Sequence, residues 1–332
     1  MTAPVLEVRN LRTWFDQPDG RAVRAVDGVD LKLHAGEVLA LVGESGSGKS
    51  VTALSVMGLV ARPGRIVEGN IRLDGEDLRR ATPARLQALR GARMAMVFQQ
   101  PRASLNPVQR IGDQIAEQFI RHQGLSRHAA SARAIELLER VEMPDPARRA
   151  RDYPHQLSGG QAQRVGIAIA VALRPALLIA DEPTTALDVT VQAQLLRLML
   201  QLCHESGTAL LLVTHDLGVV AQVADRVAVM YAGRVVEQAP VTALFDQPQH
   251  PYTEGLIASL AVPGQRRERL IDIPGSVPAL DQPFSACRFE PRCARRIEGS
   301  GSPCRHQEPP WVSGSTGAGT ACWLRTDLSG NP

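Results

Sequence analysis

Short apolar runs alternate with longer amphipathic stretches over the first three quarters of the chain. Several of the runs contain no polar residue, which is typical of strands buried on both faces of a parallel sheet. These runs lie at 38–42, 94–98, 176–180 and 210–213. Looser apolar patterns predict further strands, which lie around Leu6, Val8 and Leu11, at 29–33 and at 66–74.

Amphipathic helices are predicted between the strands, because apolar residues recur there three and four positions apart. One helix follows the first buried run, with Val51, Leu54 and Gly58 on one face. Other helices are expected within 111–149, from Ser158 to about residue 173, and through 191–202. Because strands and helices alternate in this way, the sequence predicts an α/β fold.

Composition sets broad limits on the function. The 332 residues are enough for two domains, and 44% hydrophobic with 21% charged residues is ordinary for a soluble globular protein. The formal net charge of +3 is too small to indicate a nucleic-acid partner. No apolar run approaches the roughly 18 residues that a membrane-spanning helix needs, and residues 1–12 lack a signal-peptide core. We therefore expect a cytosolic protein that reaches a membrane only through a partner.

Residues 43–50 match the phosphate-loop pattern G-x-x-x-x-G-K-[ST] at every fixed position. Glycines let the backbone curl so that consecutive N–H groups converge on an anion, and the N-terminus of the following helix adds positive potential. A glycine-rich turn that binds nothing is the alternative, and the strand before the loop and the helix after it argue against that. The loop consists of Gly43, Glu44, Ser45, Gly46, Ser47, Gly48, Lys49 and Ser50. Lys49 is expected to reach the β- and γ-phosphates, and the Ser50 hydroxyl to hold Mg²⁺.

Polar residues follow two of the buried runs directly. Asp181 and Glu182 come after the run at 176–180, at the strand end where α/β sheets place ligands. Asp181 is expected to hold Mg²⁺ through its waters, and Glu182 to orient and polarise an attacking water. A solvated acidic pair in a turn is the alternative, which the wholly apolar strand disfavours. His215 follows the run at 210–213, and its place at a strand end favours a functional role.

Two further features suit a nucleotide site. Ser158 is a predicted N-cap, and the N–H groups of Gly159 and Gly160 in the same first turn would attract an anion. Two adjacent glycines cost helix stability, so they favour a close backbone approach over a plain capped helix. Trp14 and Phe15 could stack on an adenine base, although a core position suits an aromatic side chain equally well.

The cysteines are unevenly distributed along the chain. Cys203 stands alone on a predicted helix, where it is expected as a packed core thiol. In a cytosolic chain a cluster of cysteines indicates a metal or iron–sulfur centre more than disulfides. Four thiolates suit either a [4Fe–4S] cluster or a Cys₄ zinc site. The clustered residues are Cys287, Cys293, Cys304 and Cys322.

Taken together, these segments resemble the nucleotide-binding subunit of an ABC transporter over roughly residues 5–245, with the motifs in that family's order. The Ser-Gly-Gly-Gln sequence that begins at Ser158 separates the family from other P-loop NTPases, although position 162, usually basic, is Ala162 here. The resemblance implies an α/β P-loop NTPase fold of the ABC type, with antiparallel β and helical subdomains, the helical one at about 100–165. It assigns nucleotide contacts to Phe15 (or Trp14), residues 43–50, Thr52, Gln99, Ser158, Gly159, Gly160, Gln161, Asp181, Glu182, Asp188 and His215.

The same resemblance implies how the ATPase would be assembled. Two such subunits would close head to tail on two ATP molecules, with the phosphate loop of one facing the Ser158 turn of the other. Gln99 would sense Mg²⁺ and water at the start of the lever that touches the membrane subunit, and Asp188 would link the two sites. The implied catalytic residues are Lys49, Gln99, Glu182 and His215, and the implied Mg²⁺ ligands are Ser50, Gln99 and Asp181.

The last quarter of the chain narrows the resemblance. Residues 249–256 and 273–278 resemble the extension of oligopeptide, dipeptide and nickel importers, and 287–293 resembles the cysteine motif of that group. We therefore divide the chain into an ABC nucleotide-binding domain at 1–245 and a C-terminal extension with a four-cysteine site at 246–332. The group favours a [4Fe–4S] cluster on the four cysteines, with zinc as the second choice, although the gap before Cys304 is longer than expected.

The resemblance predicts an ATPase that powers peptide import from the cytoplasmic face of the membrane. Its implied partners are a second ATP-binding subunit (a paralogue more than a copy), two transmembrane permease subunits and an extracytoplasmic solute-binding protein. Nickel or another small solute is the alternative cargo. A soluble ABC ATPase that acts on nucleic acid or ribosomes is the alternative of another class, and the single nucleotide domain and near-neutral charge disfavour it. A third alternative is a binding module in which the cluster acts as a redox sensor.

Overall fold

The computed structural model of the chain describes residues 3–184, 188–260, 272–314 and 317–328. The strands are β1 (Leu6–Asp16), β2 (Ala22–Leu33), β3 (Val38–Val42), β4 (Gly64–Leu73), β5 (Glu76–Asp77), β6 (Met94–Val97), β7 (Leu177–Asp181), β8 (Ala209–Val213), β9 (Arg226–Tyr231), β10 (Arg234–Pro240), β11 (Val312–Ser313) and β12 (Gly319–Thr320).

The helices belong to two kinds, α-helical and short 3₁₀ segments. The α-helices are α1 (Lys49–Met57), α2 (Pro83–Leu89), α3 (Pro101–Ser104), α4 (Ile111–Gln123), α5 (Arg127–Arg140), α6 (Pro146–Arg149), α7 (Gly159–Val171), α8 (Val189–Ser206), α9 (Leu217–Val223), α10 (Val241–Asp246), α11 (Pro251–Ala258) and α12 (Pro303–His306). The 3₁₀ segments are Pro154–Gln156, Glu290–Arg292 and Trp323–Leu328.

The chain forms two compact units, each built from separate stretches of sequence. The first unit comprises Met1–Leu6, Lys32–Glu37 and Arg72–Leu212. The second unit comprises Glu7–Leu31, Val38–Ile71 and Val213–Pro332. The division at residue 245 that the sequence suggests lies inside the second unit and stays a prediction.

The first unit contains the strand order β8-β7-β6. β6 and β7 are parallel, with Met94 opposite Leu177 and Val97 opposite Ala180. Every residue of these strands is buried, as the unbroken apolar runs predict for a parallel sheet covered on both faces. Because β6 and β7 run in the same direction, the residues that follow them leave the sheet at the same edge.

The helices expected within 111–149 are α4, α5 and α6. The breaks fall where the backbone adopts the left-handed conformation, at Gly124 (φ 67°) and Asp145 (φ 51°). α4, α5 and α7 pack together in the first unit. On α5 the side that faces the core is apolar: Ala134 and Leu138 are fully buried and Leu137 is 5% exposed, whereas Ile135 is half-buried.

The second unit carries β3 in a sheet with the strand order β11-β12-β10-β9-β3. β3 runs parallel to β9, with Val42 opposite Val229, and the hydrogen-bonded pairs from β9 outwards are antiparallel. The order β2-β1-β4 forms a separate sheet of the same unit. The C-terminal strands β11 and β12 thus extend the sheet that carries the phosphate loop. The sequence did not predict this extension of the sheet.

Two local expectations need correction. Trp14 and Phe15 lie on β1, which continues past the strand predicted around Leu6, Val8 and Leu11. Val51 and Leu54 are only half-buried, and the interior side of α1 is formed by Thr52, Ala53, Ser55 and Val56. The physical reason is that the hydroxyl groups find internal partners, such as Ser55 Oγ at 2.8 Å from Thr13 Oγ1, so polar residues occupy the buried face. None of the described helices is long and apolar enough to span a membrane.

We predict that Leu138→Ala destabilises the protein by about 2–5 kcal/mol, because a fully buried leucine leaves a cavity when it is truncated. Denaturant unfolding of the full chain would measure the loss. Glu139→Ala, one residue further along the same helix at an exposed position, is the matched control and is expected to stay within about 0.5 kcal/mol of the wild type. Equal losses in the two variants would contradict the assignment of the core face of α5.

Candidate functional site

The phosphate loop joins β3 to α1 through a tightly curled backbone. Gly43 (φ 149°), Gly46 (φ 78°) and Gly48 (φ 103°) all have positive φ, a region that residues with a Cβ rarely adopt. α1 begins at Lys49, with Gly48 as its N-cap. The predicted order of strand, glycine loop and helix is therefore what the second unit contains.

At two of these three positions the neighbouring backbone leaves no room for a Cβ atom, and at the third it does. A Cβ on Gly43 would lie 2.1 Å from the Met230 carbonyl oxygen, and one on Gly48 would lie 2.2 Å from the Ala25 carbonyl oxygen. A Cβ on Gly46 would meet nothing within 4 Å. Gly43 and Gly48 thus hold the loop against its own unit, whereas Gly46 borders open space.

The side chains of the loop support its backbone. Lys49 is 5% exposed, and its Nζ donates hydrogen bonds to the carbonyl oxygens of Gly43 (2.8 Å) and Glu44 (3.0 Å). The buried Thr52 hydroxyl donates to the Gly48 carbonyl oxygen at 3.0 Å, inside the unit. Ser47 is fully buried and its Oγ has no partner among the described residues, which is costly unless a water or ligand completes the site.

The C-terminal extension contacts the loop at Glu44. The Glu44 backbone N–H donates to the Tyr252 hydroxyl at 2.8 Å, and Arg292 Nη1 donates to Glu44 Oε2 at 3.0 Å. Burial raises the pKa of the Tyr252 phenol, so this group is neutral. Tyr252 lies in the segment 249–256 and Arg292 in the segment 287–293, and the sequence assigns neither residue a role. No sequence signal pairs them with Glu44, because 208 and 248 residues separate the partners.

The predicted carboxylates lie at the carboxyl end of β7 in the first unit. Asp181 is the last residue of the strand and is 7% exposed. Glu182 has a φ of 45°, an uncommon conformation for a residue with a side chain, and such local strain concentrates at functional sites. Glu182 Oε2 accepts a hydrogen bond of 3.0 Å from Gln99 Nε2. The structure therefore brings together two of the predicted catalytic residues.

The turn before α7 is capped as predicted. Ser158 Oγ accepts from the Gln161 N–H at 3.3 Å, and Gln161 Oε1 accepts from the Ser158 N–H at 3.0 Å, which is a reciprocal capping box. Ser158 is exposed, and Gly159 and Gly160 are half-buried, so the turn is accessible to another molecule. The N–H groups of this first helical turn suit an anion.

The other predicted residues lie at element boundaries. His215 is exposed and follows β8, and Asp216 beside it caps α9 by accepting from the N–H groups of Gly218 and Val219. Asp188 caps α8 by accepting from the Val191 N–H at 2.9 Å. The family resemblance also includes the two residues before Asp188, Ala186 and Leu187, which lie outside the described residues.

The two candidate adenine-stacking rings have different surroundings. The edge of Phe15 packs on Gly64, where a Cβ would come within 2.6 Å of the ring. The Trp14 ring has the Arg24 guanidinium 4.5 Å from its centroid, in a cation–π arrangement that already covers one face. The choice between the two rings stays a prediction.

The four clustered cysteines line one small cavity of about 10 Å³ together with Pro251 and Trp323. They are free thiols, and burial raises the pKa of Cys287 to about 12, so this thiol keeps its proton near neutral pH unless a metal replaces it. Among the residues that the structure describes, no group of three or more His, Cys, Asp or Glu is arranged to hold a metal ion. The four cysteines thus lie around one cavity, but their thiols are not arranged as the ligands of a metal ion.

Two known families match successive parts of the chain. Residues 26–185 match the family described as ABC transporter. Residues 236–299 match the oligopeptide/dipeptide transporter C-terminal region. The first match contains the phosphate loop, the Ser158 turn, Asp181 and Glu182, and the second contains Tyr252 and Arg292.

Full-length relatives and solved structures are also similar. The chain is 49% identical to the oligopeptide transport ATP-binding protein AppD of Bacillus subtilis over 96% of each chain. It is 50% identical to a putative peptide import ATP-binding protein of Brucella melitensis, again over 96% of each. The dimeric ATP-binding cassette MJ0796, bound to ADP and Pi, has a TM-score of 0.64 at 28% identity, covering 71% of this chain and 98% of that one. CbiO1 from Clostridium perfringens has a TM-score of 0.62 at 26% identity, covering 74% and 92%.

We predict that Gly43→Ala prevents correct folding of the loop, because the new Cβ would require the backbone at Met230 to move. Gly46→Ala meets no neighbour and is expected to cost only the about 1–2 kcal/mol of a left-handed residue. Thermal unfolding of both variants without nucleotide would measure the difference. If Gly43→Ala is no less stable than Gly46→Ala, the close approach to β9 does not constrain the loop.

Proposed function

The chain belongs to the ABC transporter family of ATP-binding proteins and carries the oligopeptide/dipeptide C-terminal region, and from this we propose that it hydrolyses ATP to drive peptide import. The observation that carries the ATP-binding half of the proposal is the phosphate loop, with its positive-φ glycines, its buried lysine and the open space at Gly46. The peptide half rests on relatives of about 50% identity that are named for oligopeptide transport and for peptide import.

In this proposal the loop residues bind the triphosphate. Backbone N–H groups of 43–50 and the Lys49 ammonium neutralise the β- and γ-phosphates. The Ser50 hydroxyl, the Asp181 carboxylate and the Gln99 amide are the oxygen donors that Mg²⁺ prefers. These residues would hold Mg²⁺, which when bound would neutralise part of the phosphate charge. Phe15 or Trp14 stacks on the adenine, and Thr52 supports the loop from inside the unit.

Hydrolysis requires an oriented water, and Glu182 is the residue we assign to it. Its carboxylate is held by the Gln99 amide at 3.0 Å, so a change at Gln99 alters the position of the base. His215 contacts the γ-phosphate side of the site in this proposal. The exposed Ser158 turn supplies its first-turn N–H groups to the nucleotide bound by a second subunit.

A nucleotide site shared between two subunits implies partner proteins. We propose a second ATP-binding subunit, a paralogue more than a copy, with Asp188 linking the two nucleotide sites. Two transmembrane permease subunits hold the pair at the cytoplasmic face of the membrane, and an extracytoplasmic binding protein delivers the peptide. Gln99, at the start of the segment that leads to α3, transmits the nucleotide state to the permease.

We further propose that Cys287, Cys293, Cys304 and Cys322 hold a [4Fe–4S] cluster, with zinc as the second choice. Support comes from the donor chemistry and from the cavity that the four residues share. Bonds from the four cysteines to a cluster would cross-link, and so stabilise, a stretch of chain that has few buried side chains. The cysteine side chains have to move to become ligands, because the described residues do not form a closed set.

Glu182→Gln is the direct test of the catalytic assignment. We expect ATP binding to persist while turnover falls by about 10²–10⁴-fold, since the amide cannot act as the base that orients water. Turnover of the purified transporter complex, and nucleotide binding by the full chain, would measure both. Glu136→Gln, at an exposed ion pair with Arg133, is the matched control and should keep wild-type turnover. Wild-type turnover in Glu182→Gln would refute the assignment.

Metal analysis of protein purified without oxygen tests the cysteine site. We expect about four iron and about four acid-labile sulfide per chain, lost in Cys293→Ser and retained in Cys203→Ser. Cys203 is the suitable control because it is a buried thiol on α8, outside the extension. A zinc-loaded wild type without sulfide would establish the zinc alternative, and a wild type without either metal would rule out both.

A further inference from the structure

Arg292 connects three segments that are far apart in the sequence. Its side chain is 6% exposed and sits in the cysteine motif at 287–293. Nε donates to the Pro274 carbonyl oxygen at 2.8 Å, and Nη2 donates to the Ile273 carbonyl oxygen at 3.1 Å. Nη1 donates to Glu44 Oε2 at 3.0 Å. One planar guanidinium thus ties the 273–278 segment and the cysteine motif to the phosphate loop.

Tyr252 reaches the same loop residue from another direction. It is fully buried, and its hydroxyl accepts the Glu44 N–H at 2.8 Å. Its ring packs against Tyr231, with centroids 4.6 Å apart, and against Phe289, with centroids 5.4 Å apart. Tyr231 ends β9, the strand that pairs with β3 directly before the loop.

The phenol is held in place by a chain of hydrogen bonds at the start of α11. The Tyr252 N–H donates to His250 Nδ1 at 3.1 Å. The N–H groups of His250 and Gln249 donate to the buried Glu237 carboxylate at 2.8 Å and 2.7 Å. Glu237 lies on β10. These hydrogen bonds therefore tie the start of α11, and with it the Tyr252 hydroxyl that contacts the phosphate loop, to a strand of the sheet.

We infer that Tyr252 and Arg292 are positioning residues for nucleotide binding, through which the C-terminal extension holds the phosphate loop by both the backbone and the carboxylate of Glu44. The inference rests on the proposed ATP-binding function and assigns the extension a part in it. Tyr252 fixes the backbone at the start of the loop before the nucleotide arrives, so binding does not have to order it. Arg292 neutralises a carboxylate that would otherwise repel the triphosphate.

A structural role alone would have a different signature. Residues that only stabilise the second unit would lower the unfolding temperature of every variant and leave the ATP affinity of the folded fraction unchanged. Positioning residues change the dissociation constant for ATP in protein that is still folded. The test therefore needs variants that keep the packing and remove single contacts.

Tyr252→Phe keeps the ring and removes the hydroxyl, and Arg292→Lys keeps the charge and removes the planar fork. We expect each to raise the dissociation constant for MgATP by about three- to tenfold, the effect of one net hydrogen bond or one charge-assisted contact. Arg292→Ala should raise it further, because Glu44 is left as an unpaired anion beside the phosphates. Calorimetric titration of the full-length wild type and variants with MgATP, below the unfolding temperature, would give these values.

A double-mutant cycle separates the charge contribution. In a Glu44→Gln background, Arg292→Ala should weaken MgATP binding less than it does in the wild type, because the repulsive carboxylate is gone. Arg305→Ala is the matched control, since it removes an exposed ion pair with Glu290 in the same extension and should bind as the wild type does.

The outcomes distinguish this inference from the proposed function. A wild type that does not bind MgATP would refute the function itself. A wild type that binds, with Tyr252→Phe and Arg292→Lys within twofold of it, would overturn the inference and leave the function standing. Lower unfolding temperatures with unchanged dissociation constants would likewise assign both residues to stability alone.

Discussion

The close approach of the loop backbone to its neighbours is the constraint on which the candidate site depends. Gly43 and Gly48 lie so near the carbonyl oxygens of Met230 and Ala25 that no side chain fits at either position. The loop is therefore fixed by the packing of β3 and β9 and by the turn that leads out of β9, where the Gly233 N–H donates to the Ser47 carbonyl oxygen at 2.9 Å. An anion site made of backbone N–H groups needs such support, because these donors cannot change their direction by a side-chain rotation.

In the first unit, the parallel strands of the sheet determine where the polar residues of the candidate site lie. Parallel strands that are buried along their whole length can expose polar groups only where they end. β6 and β7 end side by side, and the residues that follow them, Gln99 and Glu182, meet through a hydrogen bond of 3.0 Å. The left-handed backbone of Glu182 turns the chain sharply at this point. The geometry of the two side chains thus results from strand register more than from either residue alone.

The C-terminal extension is part of the second unit and not a separate appendage. β12 pairs with β10 through Glu237 and Thr320, and Tyr252 and Phe289 pack on Tyr231 at the end of β9. The extension therefore reaches the phosphate loop through the sheet and, at Glu44, directly. The same packing gathers the four cysteines around one cavity, and Cys293 is the sequence neighbour of Arg292, which contacts the loop at Glu44.

The sequence by itself determined the features that depend on local pattern. Buried strands, the phosphate loop, the Ser158 cap and the residues at strand ends follow from apolar runs and from the chemistry of glycine, serine and the carboxylates, which act over a few positions. Only the tertiary structure decided which distant residues meet. The pairing of Glu44 with Tyr252 and Arg292, the addition of β11 and β12 to the sheet and the polar interior face of α1 depend on partners far along the chain, and no local periodicity records them.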